Sequence, residues 1–174
     1  MLAINPTDRG VWLLENALVF VIFLVLVWSY YKFPLSNYSY VLIFVFGTLH
    51  IIGAHFSYAA TPFGDWFSYI FSLERNSYDR IVHFFYGFMA VSIVIDVLKA
   101  RLPRGKLLRS FLIFSVVLTL GTLYEILEFA TGVFIESATT REFLAFQGDV
   151  WDTHKDLALE MVGALIGLFT SRNK

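Results

Sequence analysis

Five apolar segments, each close to the length that crosses a bilayer, constrain this chain more than any other feature. They run roughly from Val11 to Tyr31, Tyr38 to Tyr58, Asp79 to Leu98, Leu107 to Phe134 and Trp151 to Phe169, against the ~20 residues an α-helix needs to span a hydrocarbon core. The expected fold is an all-α polytopic transmembrane helix bundle of about five spans, forming one integral-membrane domain over residues 1–174. With 57% of residues hydrophobic, a soluble domain is a poor alternative. The first segment lacks a basic n-region and a small-residue cleavage site, so it reads as a retained span and not as a signal peptide.

Charge sets the expected orientation. The loop from Lys99 to Arg109 holds five basic residues and no acidic one, which places it in the cytoplasm by the positive-inside rule. Arg172 and Lys174 after the last span agree. The N-terminus then lies outside, the C-terminus is cytoplasmic, and the segments 59–78 and 135–150 are extracytoplasmic. A net charge of -1 provides no field for nucleic acid, so the surrounding partner is membrane lipid. The chain has no cysteine, which leaves His, Asp and Glu as metal ligands.

Within this frame the polar residues gather at one end. Read as a single helix, Asp149, Asp152, Asp156 and Glu160 fall at i, i+3, i+7 and i+11 on one face, which Gly163 and Gly167 continue. Small residues allow another helix to approach closely, and carboxylates in such a contact are costly in lipid without a positive partner. Asp79 and His83 form an i, i+4 pair at the outer start of the third span. Glu125 and Glu128 lie 16 and 19 residues past Arg109, about 24 to 28 Å along a helix and again at the outer side. His55 lies at the outer end of the second span.

Six carboxylates and two imidazoles are therefore expected in one outward-facing pocket. Such a group takes up protons or recruits cations, and an oxygen-rich shell with imidazole suits Zn²⁺, Mn²⁺, Fe²⁺ or Mg²⁺. The candidate metal ligands are His55, Asp79, His83, Glu128, Asp149, Asp152 and Asp156, with Glu125 as the candidate catalytic base. Two other readings stand beside the metal site. Arg75, Arg80, Arg141 and Lys155 are also on the outer side and can neutralise acids in a structural ionic cap, and Glu160 can continue a polar path inward for a cation or solute transporter. His50 is five positions from His55, about 140° around a regular helix, so it is assigned to packing. Lys155 is assigned to the far side of its helix from Asp152.

The segments His50-Ile-Ile-Gly-Ala-His55, Glu74-Arg75-Asn76-Ser77-Tyr78-Asp79-Arg80-Ile81-Val82-His83, Tyr124-Glu125-Ile126-Leu127-Glu128 and Gln147-Gly148-Asp149-Val150-Trp151-Asp152 together resemble the YjdF-like family of bacterial inner-membrane proteins. The resemblance covers about residues 40 to 170 and implies a multispan protein of the bacterial inner membrane. It supplies no catalytic residue. From the residues themselves, the functional expectation is a metal-dependent membrane hydrolase acting at the outer leaflet, in which the metal activates water and polarises a phosphoryl or acyl oxygen.

Overall fold

The structure, a computed structural model, describes residues 3–134 and 149–171. Most of the second predicted extracytoplasmic segment, Arg141, Gly148, Arg172 and Lys174 lie outside the described residues. Six helices are described: α1 Arg9–Lys32, α2 Asn37–His55, α3 Pro62–Ile70, α4 Tyr78–Leu98, α5 Lys106–Phe134 and α6 Asp152–Ser171.

Local chemistry sets the ends. The Asp8 carboxylate accepts the Val11 amide at 2.8 Å and caps α1, and the Ser36 hydroxyl accepts the Ser39 amide at 3.2 Å to cap α2, each satisfying one of the amide donors a helix start leaves open. Pro34 ends α1 by forcing Phe33 out of the helical region. Four helices, α1, α2, α4 and α5 as far as Thr131, are long and apolar enough to cross a membrane. The predicted fifth span differs. α6 has 20 residues but carries Asp152, Lys155, Asp156 and Glu160 in its first half, and those acids turn inward, where Asp152, Asp156 and Glu160 are buried. A second departure is α3, a short helix in a stretch expected to be loop. It starts at Pro62, whose fixed φ suits the first turn of a helix.

The bundle is organised on α4. It packs most closely on α6 and also touches α2, α3 and α5, while among the described helices α1 packs only on α2. The α4–α6 contact is parallel and very close: a Cβ added at Gly87 would collide with the backbone of Glu160, and one at Gly163 with the backbone of Phe84. That approach is open only to residues without a side chain. Ala90, Val91, Val94, Ile113, Val117 and Ala164 close the half of the bundle below this crossing. Antiparallel pairings bring the start of α1, the end of α2, the start of α4, the end of α5 and the start of α6 to one end, as the contacts Glu15–His50, His83–Glu125 and His83–Glu160 require.

Candidate functional site

The acids at this end form two tiers. In the upper tier, Asp149 is not part of α6. It sits in the preceding turn, where its carboxylate accepts the Trp151 amide at 3.0 Å and its carbonyl accepts the Asp152 amide at 3.1 Å. The predicted stripe therefore begins at Asp152. Freed from the helical register, the Asp149 carboxylate meets Arg80 at 2.6 Å and Lys155 at 2.5 Å. This corrects the expectation that Lys155 points away from the acids: the helix carries it away from Asp152, but the turn brings Asp149 to it. The Lys155 hydrogen bond first, then the Trp151 amide and the Lys155 and Arg80 charges, pull the Asp149 carboxyl from 3.8 to about 2. Asp152 is held by the Arg75 guanidinium, with Arg80 at 3.9 Å.

Among the described residues, no lysine or arginine is paired in the tier below. His83 is its centre. Its Nδ1 lies 2.9 Å from Glu160, and its Nε2 lies 3.5 Å from both Asp79 and Glu125. One ligand atom each from Asp79, His83 and Asp156 falls within 4.8 Å of the others. Asp156 is 2% exposed and Glu160 1%. Buried carboxylate oxygens of Glu125, Asp156 and Glu160 have no hydrogen-bond partner, and an acceptor left so costs about 1–3 kcal/mol, more when charged. Such atoms call for a proton or a cation. Glu160 is clasped between helices, since a Cβ at Gly121 of α5 would strike its carboxylate.

Beside this group lies a cavity of about 560 Å³. Asp79, His83 and Glu160 open onto it, joined by Glu128 from α5. His50 also lines it, contrary to its assignment to packing. The helix continues through Gly53 to His55, so only one of the two imidazoles can face α4, and it is His50. Its Nδ1 is 2.6 Å from the Tyr58 hydroxyl and its Nε2 3.2 Å from the Glu15 carbonyl. Tyr58 reaches back because Ser57 and Tyr58 take left-handed φ of 50° and 51° after the helix ends, laying the ring on Gly53, where a Cβ would collide with it. A protonated Tyr58 donates to Nδ1, and His50 Nε2–H then donates to the Glu15 carbonyl. His55 ends α2 with its ring edge-on to Phe56, 4.7 Å between centroids, and is neither in the three-residue group nor in the cavity wall.

Sequence reasoning passed over Glu15, Tyr58 and Tyr124, all of which line the cavity. For Glu15 the signal was present: it is an acid inside an apolar span and is 4% exposed, and an intramembrane carboxylate is a candidate functional residue on that ground alone. The two tyrosines carried no such signal among nine.

Comparison with known proteins agrees with this architecture. The model of a family described as predicted membrane protein (DUF2238) matches residues 1–173. The chain is 30% identical over 163 residues to inner membrane protein YjdF of Escherichia coli (strain K12), covering 93% of this chain and 78% of the relative. No solved structure matches.

Proposed function

We propose that this chain, which belongs to the DUF2238 family of predicted membrane proteins and is an integral protein of the bacterial inner membrane, binds a divalent cation through Asp79, His83 and Asp156 and is a hydrolase acting at the outer leaflet. The observation that carries the proposal is the contact between Glu160 and His83 Nδ1 at 2.9 Å. A metal-bound histidine characteristically donates its second ring N–H to a carboxylate, which fixes the tautomer and turns the other nitrogen to the ion. Here that other nitrogen, Nε2, faces Asp79 and Glu125.

Two carboxylates and one imidazole leave coordination positions open, as catalytic sites do, and suit Zn²⁺, Mn²⁺, Fe²⁺ or Mg²⁺. When bound, the ion supplies Lewis acidity and a water of lowered pKa. Glu125, 3.5 Å from Nε2 with a buried oxygen still unpartnered, is placed to take the proton of such a water. Asp149 and Asp152, held by Arg80, Lys155 and Arg75, are left out of the ligand set and form an ionic cap over it. His55 and Glu128 are left out as well. The outer placement follows from the basic 99–109 loop at the opposite end of the bundle.

A one-sided site fits better than a conduit. At the far end, Asp96 accepts from the Ser36 and Ser39 hydroxyls at 2.7 and 2.6 Å, but Val91, Val94, Ile113 and Val117 separate that group from His83. The test is elemental analysis of purified wild type and His83→Ala, with thermal melting in detergent before and after a strong chelator. Stoichiometric metal in wild type only, and a chelator-induced drop reversed by the same metal, are expected. At a metal concentration 100 times Kd the drop corresponds to about 2.7 kcal/mol. Unchanged melting together with no co-purifying metal removes the metal and the hydrolase together.

A further inference from the structure

The cavity is not a closed void. Along α1 its wall is Glu15, Leu18, Val19, Ile22, Phe23 and Leu26, which follow one another at i, i+3, i+4, i+7, i+8 and i+11 and so occupy one helix face. The opposite wall runs along α5 from Leu120 to Glu128. Ile22 and Phe23 on one side and Leu123 and Leu127 on the other line the cavity and are 47%, 58%, 51% and 59% exposed. The backbones of α1 and α5 nowhere come within 8 Å among the described residues. The space is therefore a groove open sideways to the bilayer between these two helices.

Its ends are chemically opposite. At the Leu26 end the wall is aliphatic, whereas the other end collects Glu15, Asp79 and Glu128 with His50 and Tyr58; Glu160 lies between them, against Gly121. No lysine or arginine of the described residues is among the lining residues. Glu15 and Glu160 each keep a buried oxygen without a hydrogen-bond partner. For Glu15 the nearest ionic contact is His50 Nε2 at 3.8 Å. From Glu15 to Leu26 the wall is about 16 Å long, half of a ~30 Å hydrocarbon core.

We infer that the groove between α1 and α5 binds a membrane amphiphile whose aliphatic chain lies against Ile22, Phe23 and Leu123 and whose ammonium head is held by Glu15. The chain fits one leaflet in length. An ammonium presents several N–H donors and a positive charge to the Glu15 Oε2 that has no hydrogen-bond partner, and charge-assisted hydrogen bonds of that kind are the strong ones. A phosphate head would meet four carboxylates and, among the described residues, no lysine or arginine. The groove shares Asp79, His83 and Glu160 with the proposed metal centre, but the inference does not rest on metal, because Glu15 takes no part in that centre.

The test uses full-length protein in phosphatidylcholine vesicles with nitroxide-labelled hexadecyl chains bearing an ammonium, a hydroxyl or a phosphate head. The motionally restricted fraction in electron spin resonance reports their relative association. The ammonium probe should associate about tenfold more strongly than the hydroxyl probe, and chelator treatment should not remove the preference. Glu15→Gln should lower that ratio toward unity and leave the hydroxyl probe unaffected. Leu123→Trp, a change at an exposed wall position, should displace all three probes without altering the elution volume of the protein. Equal association of the three heads, a preference for phosphate, or no response to either substitution overturns the inference, whatever the metal analysis returns.

Discussion

α1 and α6 lie at opposite extremes of this bundle. The most apolar window of α1 is only 11% buried, against 44% for α4, and among the described helices α1 packs on α2 alone. α6 is too polar to qualify among the apolar spans, yet it makes the closest helix contact among the described residues, with Gly87 and Gly163 set against the backbones of Glu160 and Phe84. In water the more apolar helix would be the more buried. In lipid, apolarity gives no preference for protein over acyl chains, and association follows small residues and polar pairing instead. α6 carries both, and α1 offers Glu15 as its one buried acid.

The comparison is broken most directly at the seam. Gly87→Leu should cost at or beyond the about 3 kcal/mol upper range of overpacking, because the obstacle is backbone, and should be read as loss of the folded peak in gel filtration. Gly47→Ala, where an added Cβ meets nothing within 4 Å, should be neutral or stabilising by up to about 1 kcal/mol through helix propensity. Similar melting of both variants would mean that glycine contacts do not hold α4 and α6 together.

A smaller effect is expected from the cap that pins the start of α6. Arg75→Ala leaves the Asp152 carboxylate, whose side chain is 5% exposed, without its main partner, a change worth about 3 kcal/mol for a buried pair. Arg75→Lys should recover part of it. If both melt as wild type, the seam stands without its cap.

The smallest effect separates the exposed rim of the cap from its buried part. With its carboxyl pulled from 3.8 to about 2, Asp149 contributes stability that is fully present above its unfolded value and is lost as pH falls toward about 2. Melting of Asp149→Asn should therefore trail wild type by a constant margin above about pH 5 and converge with it between 3.8 and about 2. A margin unchanged down to pH 2 would show that the Arg80 and Lys155 contacts do not stabilise the fold.

Much of the candidate site was legible because hydropathy and the positive-inside rule set depth, and depth brought Asp79, His83, Glu125 and Asp156 to one end. Rotation and register were harder. His50 and His55 are about 140° apart on one helix, so one had to face away, but nothing in α2 says which side α4 occupies. Asp149 was read on the helix because i, i+3 spacing persists across a boundary that only the Trp151 and Asp152 amides reveal. Exposed aromatics such as Trp66 and Tyr69 hid α3 within a stretch read as loop.

By itself the sequence determined that the chain is an all-helical membrane protein, and which ends of its helices carry ionisable groups, because a bilayer filters length and charge one segment at a time. Only the tertiary structure decided which acids are paired and which are not. It placed Asp149 and Asp152 with Arg80, Lys155 and Arg75, left Glu15, Glu125, Asp156 and Glu160 with unpartnered oxygens, and opened a groove where α1 and α5 fail to meet. The reason is physical: pairing depends on the rotation of each helix about its axis and on how closely glycines let two backbones approach, and those are set jointly by helices far apart in the chain.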